Sequence, residues 1–155
     1  MADFHLAQIN IAKAIDSLES ETMAGFVARL DEINALADQA SGFVWRLQTE
    51  DGDATSIKAF DDPALIINMS VWRDIASLKH YVYQTAHLEL LKNRNQWFGK
   101  IREGHQAMWW IPAGKLPDVF EGKRRLSLIQ ANGPGPDAFT FSRPYTSDGA
   151  AVADA

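Results

Sequence analysis

The stretch "ETMAGFVARLDEINALADQA" (residues 21–40) constrains the fold of this chain more than any other. Met23, Phe26, Val27, Leu30, Ile33, Leu36 and Ala37 recur at helical spacing, which predicts an amphipathic helix with one apolar stripe. Ser41-Gly42 ends it, glycine being suited to the left-handed residue after a helix. Such a stripe must be buried against another layer. The flanking segments supply one: "FHLAQINIAKA" opens with close alternation and predicts a strand from Phe4 to Ala12. "FVWRLQT" is rich in aromatic and β-branched residues and predicts a second strand.

"ALIINMSVW" predicts a third strand, one or two helices fill residues 73–101, and "HQAMWWIPAG" predicts a fourth strand ended by proline and glycine. A last helix starts near Pro117 and stops at Gly133. "PGPDAFTFSRPY" can add a short strand, and "TSDGAAVADA" is expected to be disordered. The resulting order is βαββαβ, that of an α+β, ferredoxin-like antiparallel sheet with an extra C-terminal helix. Residues 1–145 are expected to form a single domain, with 146–155 as a disordered tail. The loop "EDGDATSIKAFDDP", with Asp51-Gly52, is longer than a minimal hairpin turn and can flank a pocket.

Alternation places Phe43, Trp45 and Leu47 on one side of the second strand and Val44, Arg46 and Gln48 on the other. In the third strand Leu65, Ile67, Met69 and Val71 oppose Ile66, Asn68, Ser70 and Trp72. Neither side is uniformly polar, as a solvated sheet face would be. A partner sheet would cover the second face, so a homodimer is expected.

Composition narrows the function classes. The formal net charge is −5, which argues against a nucleic-acid partner. The tight cationic cluster "GKRR" at 122–125 adjoins Glu121 and reads as a solvated helix face. There are no cysteines, so disulfides, thiolate catalysis and cysteine-held metals are excluded. The start "MADFHLAQ" has no secretory pattern, and no apolar run approaches the ~20 residues needed to span a bilayer. A cytoplasmic protein with no membrane partner is expected. No HExxH, glycine-rich phosphate loop, serine elbow or dinucleotide fingerprint occurs, so neither a metal nor a nucleotide cofactor is expected.

Several segments together resemble a known group. "SGFVWRL", "NMSVW" and "TAH" resemble the dimeric α+β barrel superfamily, which includes the antibiotic-biosynthesis monooxygenases. "HLAQINIA", "LDEINALADQASGFVWRL", "NMSVW", "MWWIPAG" and "GPGPDAFTF" resemble more closely an uncharacterised bacterial domain family within it, over about residues 5–144. The resemblance implies a dimeric barrel of a superfamily that acts on small molecules, and the closer family brings no established reaction. In monooxygenase-like relatives a threonine-x-histidine pair lines the cavity, and Thr85-Ala86-His87 looks like that pair. His80 lies farther from the threonine than the upstream histidine of those relatives does. Compared with the haem-degrading branch, Asn10 matches a strand asparagine. Tyr81 and Leu91, however, fall where its catalytic tryptophan and iron-ligating histidine belong, which disfavours haem degradation.

Three groups of residues are candidates for chemistry. On a helix over 80–94, His80, Tyr83, His87 and Arg94 share a stripe, and a neutral imidazole can act as a base near pH 7. They can equally be partly exposed helix residues. Gln8 and Asn10, Arg46 and Gln48, Asn68 and Ser70 are polar pairs within apolar strands, each pair sharing a face. Unpaired burial costs ~1–3 kcal/mol per group, so they imply partners or a wet pocket. Facing the helices they would form a polar floor beneath His87, where Arg46 could grip a carboxylate or enolate and Asn10 and Asn68 could donate. A structural network at a dimer interface is the alternative. Trp45, Trp72, Trp97, Trp109 and Trp110 can line a site for a planar ligand or build the core. Trp45 and Trp110 are the candidates for substrate contact.

The expected activity is proton transfer on a hydrophobic, aromatic or polyketide-like molecule, of monooxygenase, isomerase or cyclase type. His87, Arg46 and Asn68 would be catalytic; Asn10, Trp45, Tyr83, Trp110 and His80 would bind substrate. A non-catalytic carrier of a small ligand or of haem is the alternative on the same fold.

Overall fold

The computed structural model describes residues 3–48, 65–84, 88, 92–99 and 105–152. Strand β1 (Phe4–Ala14) is followed by helix α1 (Ala24–Gln39), β2 (Phe43–Arg46), β3 (Leu65–Trp72), helix α2 (Ile75–Gln84), a short β4 (Phe98–Gly99), β5 (Gln106–Pro112) and helix α3 (Val119–Asn132). β1 lies between β3 and β5, and β3 lies between β1 and β2, all antiparallel. The order β2-β3-β1-β5 with antiparallel neighbours is the ferredoxin-like arrangement that the βαββαβ pattern implies, with α3 added. β4 extends the β5 edge of β1 by pairing Gly99 with Lys13 and Phe98 with Ala14.

The register sorts side chains into two faces. Leu6, Gln8 and Asn10 stand opposite Trp72, Ser70 and Asn68 of β3, and opposite Trp110, Met108 and Gln106 of β5. This face carries α1 and α2: Leu6, Trp72 and Met108 pack with Ile33, Ala37, Leu78 and Tyr81. At the far end of the strands Ala14, Met23, Phe26 and Trp97 form a second apolar cluster with Leu30, Ile66 and Phe98. The stripe of α1 is therefore Phe26, Leu30, Ile33 and Ala37, while Val27 is exposed. The helix starts at Ala24 because Ser17 and Ser20 turn the chain before it. Ser20 Oγ donates to the Ser17 carbonyl at 2.6 Å and accepts from the Met23 N–H at 3.3 Å.

The opposite face is covered differently from the sequence expectation. Ala7, Ile9, Ile11, Ile67, Met69, Val71, Ala107 and Trp109 pack with Leu126 and Ile129 of α3. A Cβ on Gly122 would lie 2.9 Å from Met69 Sδ and 3.0 Å from Ile9 Cδ1, so glycine lets the helix close directly onto the sheet. The chain thus supplies from α3 the cover that had argued for a partner sheet. Trp45, Leu47 and Leu65 stay partly buried at its margin. Asp118 caps α3, accepting from the Glu121 N–H at 2.8 Å, and Gly133 ends it with φ 73°.

Two further segments differ from the sequence reading. Phe98 and Gly99, expected within a helix, pair with β1. The aromatic pair has a physical reason to be there: Trp97 is buried beneath Phe26, whose ring also meets Phe98 edge-on at 4.9 Å. In the C-terminal segment Phe139 exchanges both backbone hydrogen bonds with Met108, covering the edge of β5. From Thr146, for which composition suggested disorder, the backbone closes a turn between Thr146 and Ala150, and the Val152 N–H donates to the Pro144 carbonyl at 2.9 Å. Among the described residues no helix is long and apolar enough to cross a membrane.

Gly42 links α1 to β2 with φ 83°, and a Cβ there would lie 2.2 Å from Ser77 Oγ of α2. Gly42→Ala combines a left-handed backbone penalty with that clash, and should cost at least about 2 kcal/mol in denaturant unfolding. Asp74 caps α2, its carboxylate accepting from the Ser77 N–H at 2.8 Å. Hydrogen bonding from the Ser77 side chain, opposed by burial and aided by the Ser77 N–H and Arg73, holds its carboxyl below the ordinary range. A depressed carboxyl stabilises the fold above its unfolded pKa, and that contribution is lost as pH falls through the folded one. Asp74→Ala should therefore cost about 1 kcal/mol near neutral pH. The gap to the natural protein should close on acidification below about pH 4.

Candidate functional site

The polar strand residues come together on the helix side of the sheet. Gln8 Nε2 donates to Asn68 Oδ1 at 2.7 Å and to Ser70 Oγ at 2.8 Å, and Trp72 Nε1 donates to the same Ser70 oxygen at 2.8 Å. Gln8 and Ser70 are 3% and 6% exposed, as a polar pair on inner strands must be unless it lines an opening. Two residues along, the register sets Asn68, Asn10 and Gln106 side by side across β3, β1 and β5. Asn68 is exposed and the other two half-buried, although all three lie on the face that bears the helices. Among the described residues Asn10 and Gln106 have no side-chain hydrogen bond, and neither does the Asn68 amide nitrogen.

The opening is bounded by apolar rows. On one side stand Phe43, Trp72, Leu6 and Trp110, beyond an intervening row of Arg46, Ser70, Gln8 and Met108, and on the other Ala12 and Ile66. Three amides with unspent hydrogen-bonding capacity between two apolar bands make a floor for a flat molecule carrying a few oxygen atoms.

Arg46 reaches the edge of this floor from β2, opposite Ser70. Its guanidinium holds Asp38 of α1 in a two-pronged contact, Nε to Oδ1 at 2.8 Å and Nη2 to Oδ2 at 3.2 Å. The Arg46 side chain is 11% exposed and that of Asp38 45%, so the pair ties α1 to the sheet edge with the cation already neutralised. Tyr81 lies nearby and donates to the Ile33 carbonyl at 3.0 Å. Burial, with a smaller push from Asp38 against a pull from Arg46, raises its phenol well above the usual range, so it stays protonated.

Other expected site residues stand elsewhere. Trp45 points to the α3 side of the sheet, away from Asn10 and Asn68. Trp110 is on the helix side, but its Nε1 donates to the Tyr145 carbonyl at 2.8 Å and its ring packs on Phe139. His80 and Tyr83 are exposed on the outer side of α2, lining a shallow depression with Ala76 and Lys79, and Tyr83 meets Phe141 edge-on at 5.9 Å. They are thus the partly exposed helix residues of the alternative reading, and Leu78 and Tyr81 turn inward instead. His87 lies outside the described residues, as does the loop 50–63. His5 is at a strand position facing α3, its Nδ1 buried without a partner among the described residues. Among the described residues no three histidine or acidic side chains come together in a way that could hold a metal ion.

Gln106 is the site residue that sequence reasoning missed. Its signal was available: it alternates with Met108 and Trp110 on β5, so it shares their face.

Fold and floor together define a class: a ferredoxin-like α+β protein with an open, neutral polar patch between sheet and helices. The chain belongs to the family described as a domain of unknown function, DUF3291, whose model matches residues 5–155. The closer of the two resemblances, to an uncharacterised domain family, is thereby shown. No curated protein matches the chain. Similar solved structures include PA3566 from Pseudomonas aeruginosa, 15% identical, covering 76% of this chain and 99% of that one with a TM-score of 0.47. A protein of unknown function from Nitrosomonas europaea is 16% identical over 76% and 99% of the two chains, with a TM-score of 0.46. SnoaB, a cofactor-independent oxygenase from Streptomyces nogalater, is 17% identical over 76% and 100%, with a TM-score of 0.45.

Proposed function

We propose that this protein is a small-molecule enzyme, independent of metal and nucleotide, that binds a hydrophobic aromatic or polyketide-like substrate on the helix-side floor. The observation that carries the reading is the row Asn68, Asn10 and Gln106: among the described residues Asn10 and Gln106 have no side-chain hydrogen bond and Asn68 keeps its NH₂ group unused, with Trp72 and other apolar residues beyond them. A substrate carbonyl placed there would accept a hydrogen bond from the Asn68 amide. When a base removes a proton from the adjacent carbon, the C–H electron pair moves into the enolate and negative charge builds on that oxygen. A preset neutral donor gains strength at that moment. His87 is the base in this reading, on the strength of the Thr85-Ala86-His87 resemblance. Arg46, paired to Asp38, contributes a fixed ion pair at the floor's edge rather than a grip on a substrate carboxylate. Isomerisation or cyclisation would follow from the same enolate, and oxygenation where dioxygen is a second substrate that takes up its electrons.

A carrier or sensor is the second reading: the open amide row would bind a ligand oxygen without any base. A homodimer belongs to the first reading. Leu116 and Phe120, 54% and 83% exposed beside the sheet-covering α3, are apolar surface available to a second copy.

The test is native mass spectrometry of protein purified from its own host, with denaturing extraction of what travels with it. The reading predicts a dimer carrying an aromatic metabolite that is lost in Asn68→Ala, and that His87→Ala binds without turning over. A metabolite retained in full by Asn68→Ala would contradict it, and undiminished turnover by His87→Ala would leave the histidine without a role.

A further inference from the structure

Gln8 does not reach the open row itself, yet its hydrogen bonds decide what that row presents. Its amide spends both N–H groups inside the sheet, one on Asn68 Oδ1 at 2.7 Å and one on Ser70 Oγ at 2.8 Å. Each bond fixes the polarity of the atom that remains. With Oδ1 engaged, Asn68 is left to offer its NH₂ group to the opening. Ser70 Oγ accepts a second hydrogen bond from Trp72 Nε1, an atom that can only donate. Both acceptor positions of the hydroxyl are then occupied, and its own proton has no acceptor among the described residues.

The geometry points to Gln8 as a positioning residue that makes the floor a donor site, selective for ligand oxygens that accept hydrogen bonds: a carbonyl, a quinone oxygen or an enolate. This rests on the floor being the ligand site, and adds to it the residue that sets its sign. The mechanism is a relay of orientation. Gln8 donates, so Asn68 and Ser70 turn their acceptors inward and their protons outward. Replaced by a carboxylate at the same length, position 8 could only accept, so the Ser70 hydroxyl and the Asn68 amide would turn their protons inward. Asn68 would then offer its carbonyl to the ligand. Nothing in contact with the ligand changes chemically, but the preference reverses. Among the described residues the charged side chain beside Ser70, that of Arg46, is held by Asp38.

The experiment uses two probes of one ring size, naphthoquinone, which only accepts hydrogen bonds, and naphthol, which donates one. Both are titrated calorimetrically into the full chain; the absence of cysteine removes the thiols that would otherwise react with the quinone. The natural protein is expected to favour naphthoquinone by about fivefold or more, the value of one or two well-placed donors. Gln8→Glu should reverse the order at alkaline pH and lose the reversal as the carboxyl takes up a proton on acidification. A merely structural role for Gln8 would give no such pH-dependent exchange. Gln8→Met, of similar length and without hydrogen bonds, should bind both probes about equally. Asn68→Asp, at an exposed position, leaves an acceptor for Gln8 and should keep the fold while turning the preference towards naphthol. An unchanged preference for naphthoquinone in folded Gln8→Glu and Gln8→Met, with the preference turned in Asn68→Asp, would overturn the role of Gln8 and leave the floor standing. Binding of neither probe to the natural protein, or binding unaltered by Asn68→Ala, would overturn the floor as a ligand site and the inference with it.

Discussion

A side chain on a strand that is paired along both edges can only enter the layer above or the layer below. β1 is such a strand, and it carries Gln8 and Asn10 on the side where α1 and α2 pack. Burying either without a partner would cost ~1–3 kcal/mol, a large share of the stability of a domain this size. The chain meets that constraint in two ways. Gln8 is satisfied within the sheet by Ser70 and Asn68. Asn10 is kept half-exposed, because the helices leave the row of Asn68, Asn10 and Gln106 uncovered. The candidate site is the second solution, and the first sets its polarity.

The remaining architecture isolates that row. Aromatic and aliphatic residues fill both of its flanks, with Trp72 and Tyr81 in tilted contact at 5.1 Å on one side and Phe26 against Trp97 and Phe98 on the other. α3 seals the reverse of the sheet through Gly122, so that Ile9 and Met69 never see solvent. The Arg46–Asp38 pair anchors α1 to the outer strand while removing a positive charge that would otherwise draw anions to the floor. Among the described residues what is left is a neutral patch, suited to polarising an oxygen and poorly suited to holding a phosphate or carboxylate.

Much of this was legible because side chains alternate without interruption along β1 and β3. Gln8 with Asn10 and Asn68 with Ser70 were paired by face, and the two pairs share one; Trp45 was separated from Arg46 by the same rule, but Phe43, read beside Trp45, stands opposite Trp72 on the helix side because the register shifts between Phe43 and Trp45. α2 was harder, since Leu78, Tyr81, Val82 and Tyr83 give apolar or aromatic residues on several sides, and periodicity alone could not say that Tyr81 turns inward and Tyr83 outward. Cover by α3 was hidden because it depends on one glycine meeting Met69 from another strand, a contact 53 residues away in sequence. The Asp38–Arg46 pair spans a helix end and a turn, beyond the spacings at which charges on one element are expected to meet.

The central claim is that ligands engage the open amide row. The most direct measurement is a side-chain amide NMR titration of the full chain with naphthoquinone. The account predicts shifts concentrated in the side-chain NH₂ signals of Asn10, Asn68 and Gln106, with the Trp72 indole N–H following through Ser70. Shifts confined to the outer surface of α2, at Ala76, Lys79, His80 and Tyr83, would place the ligand on the other side of that helix and contradict it.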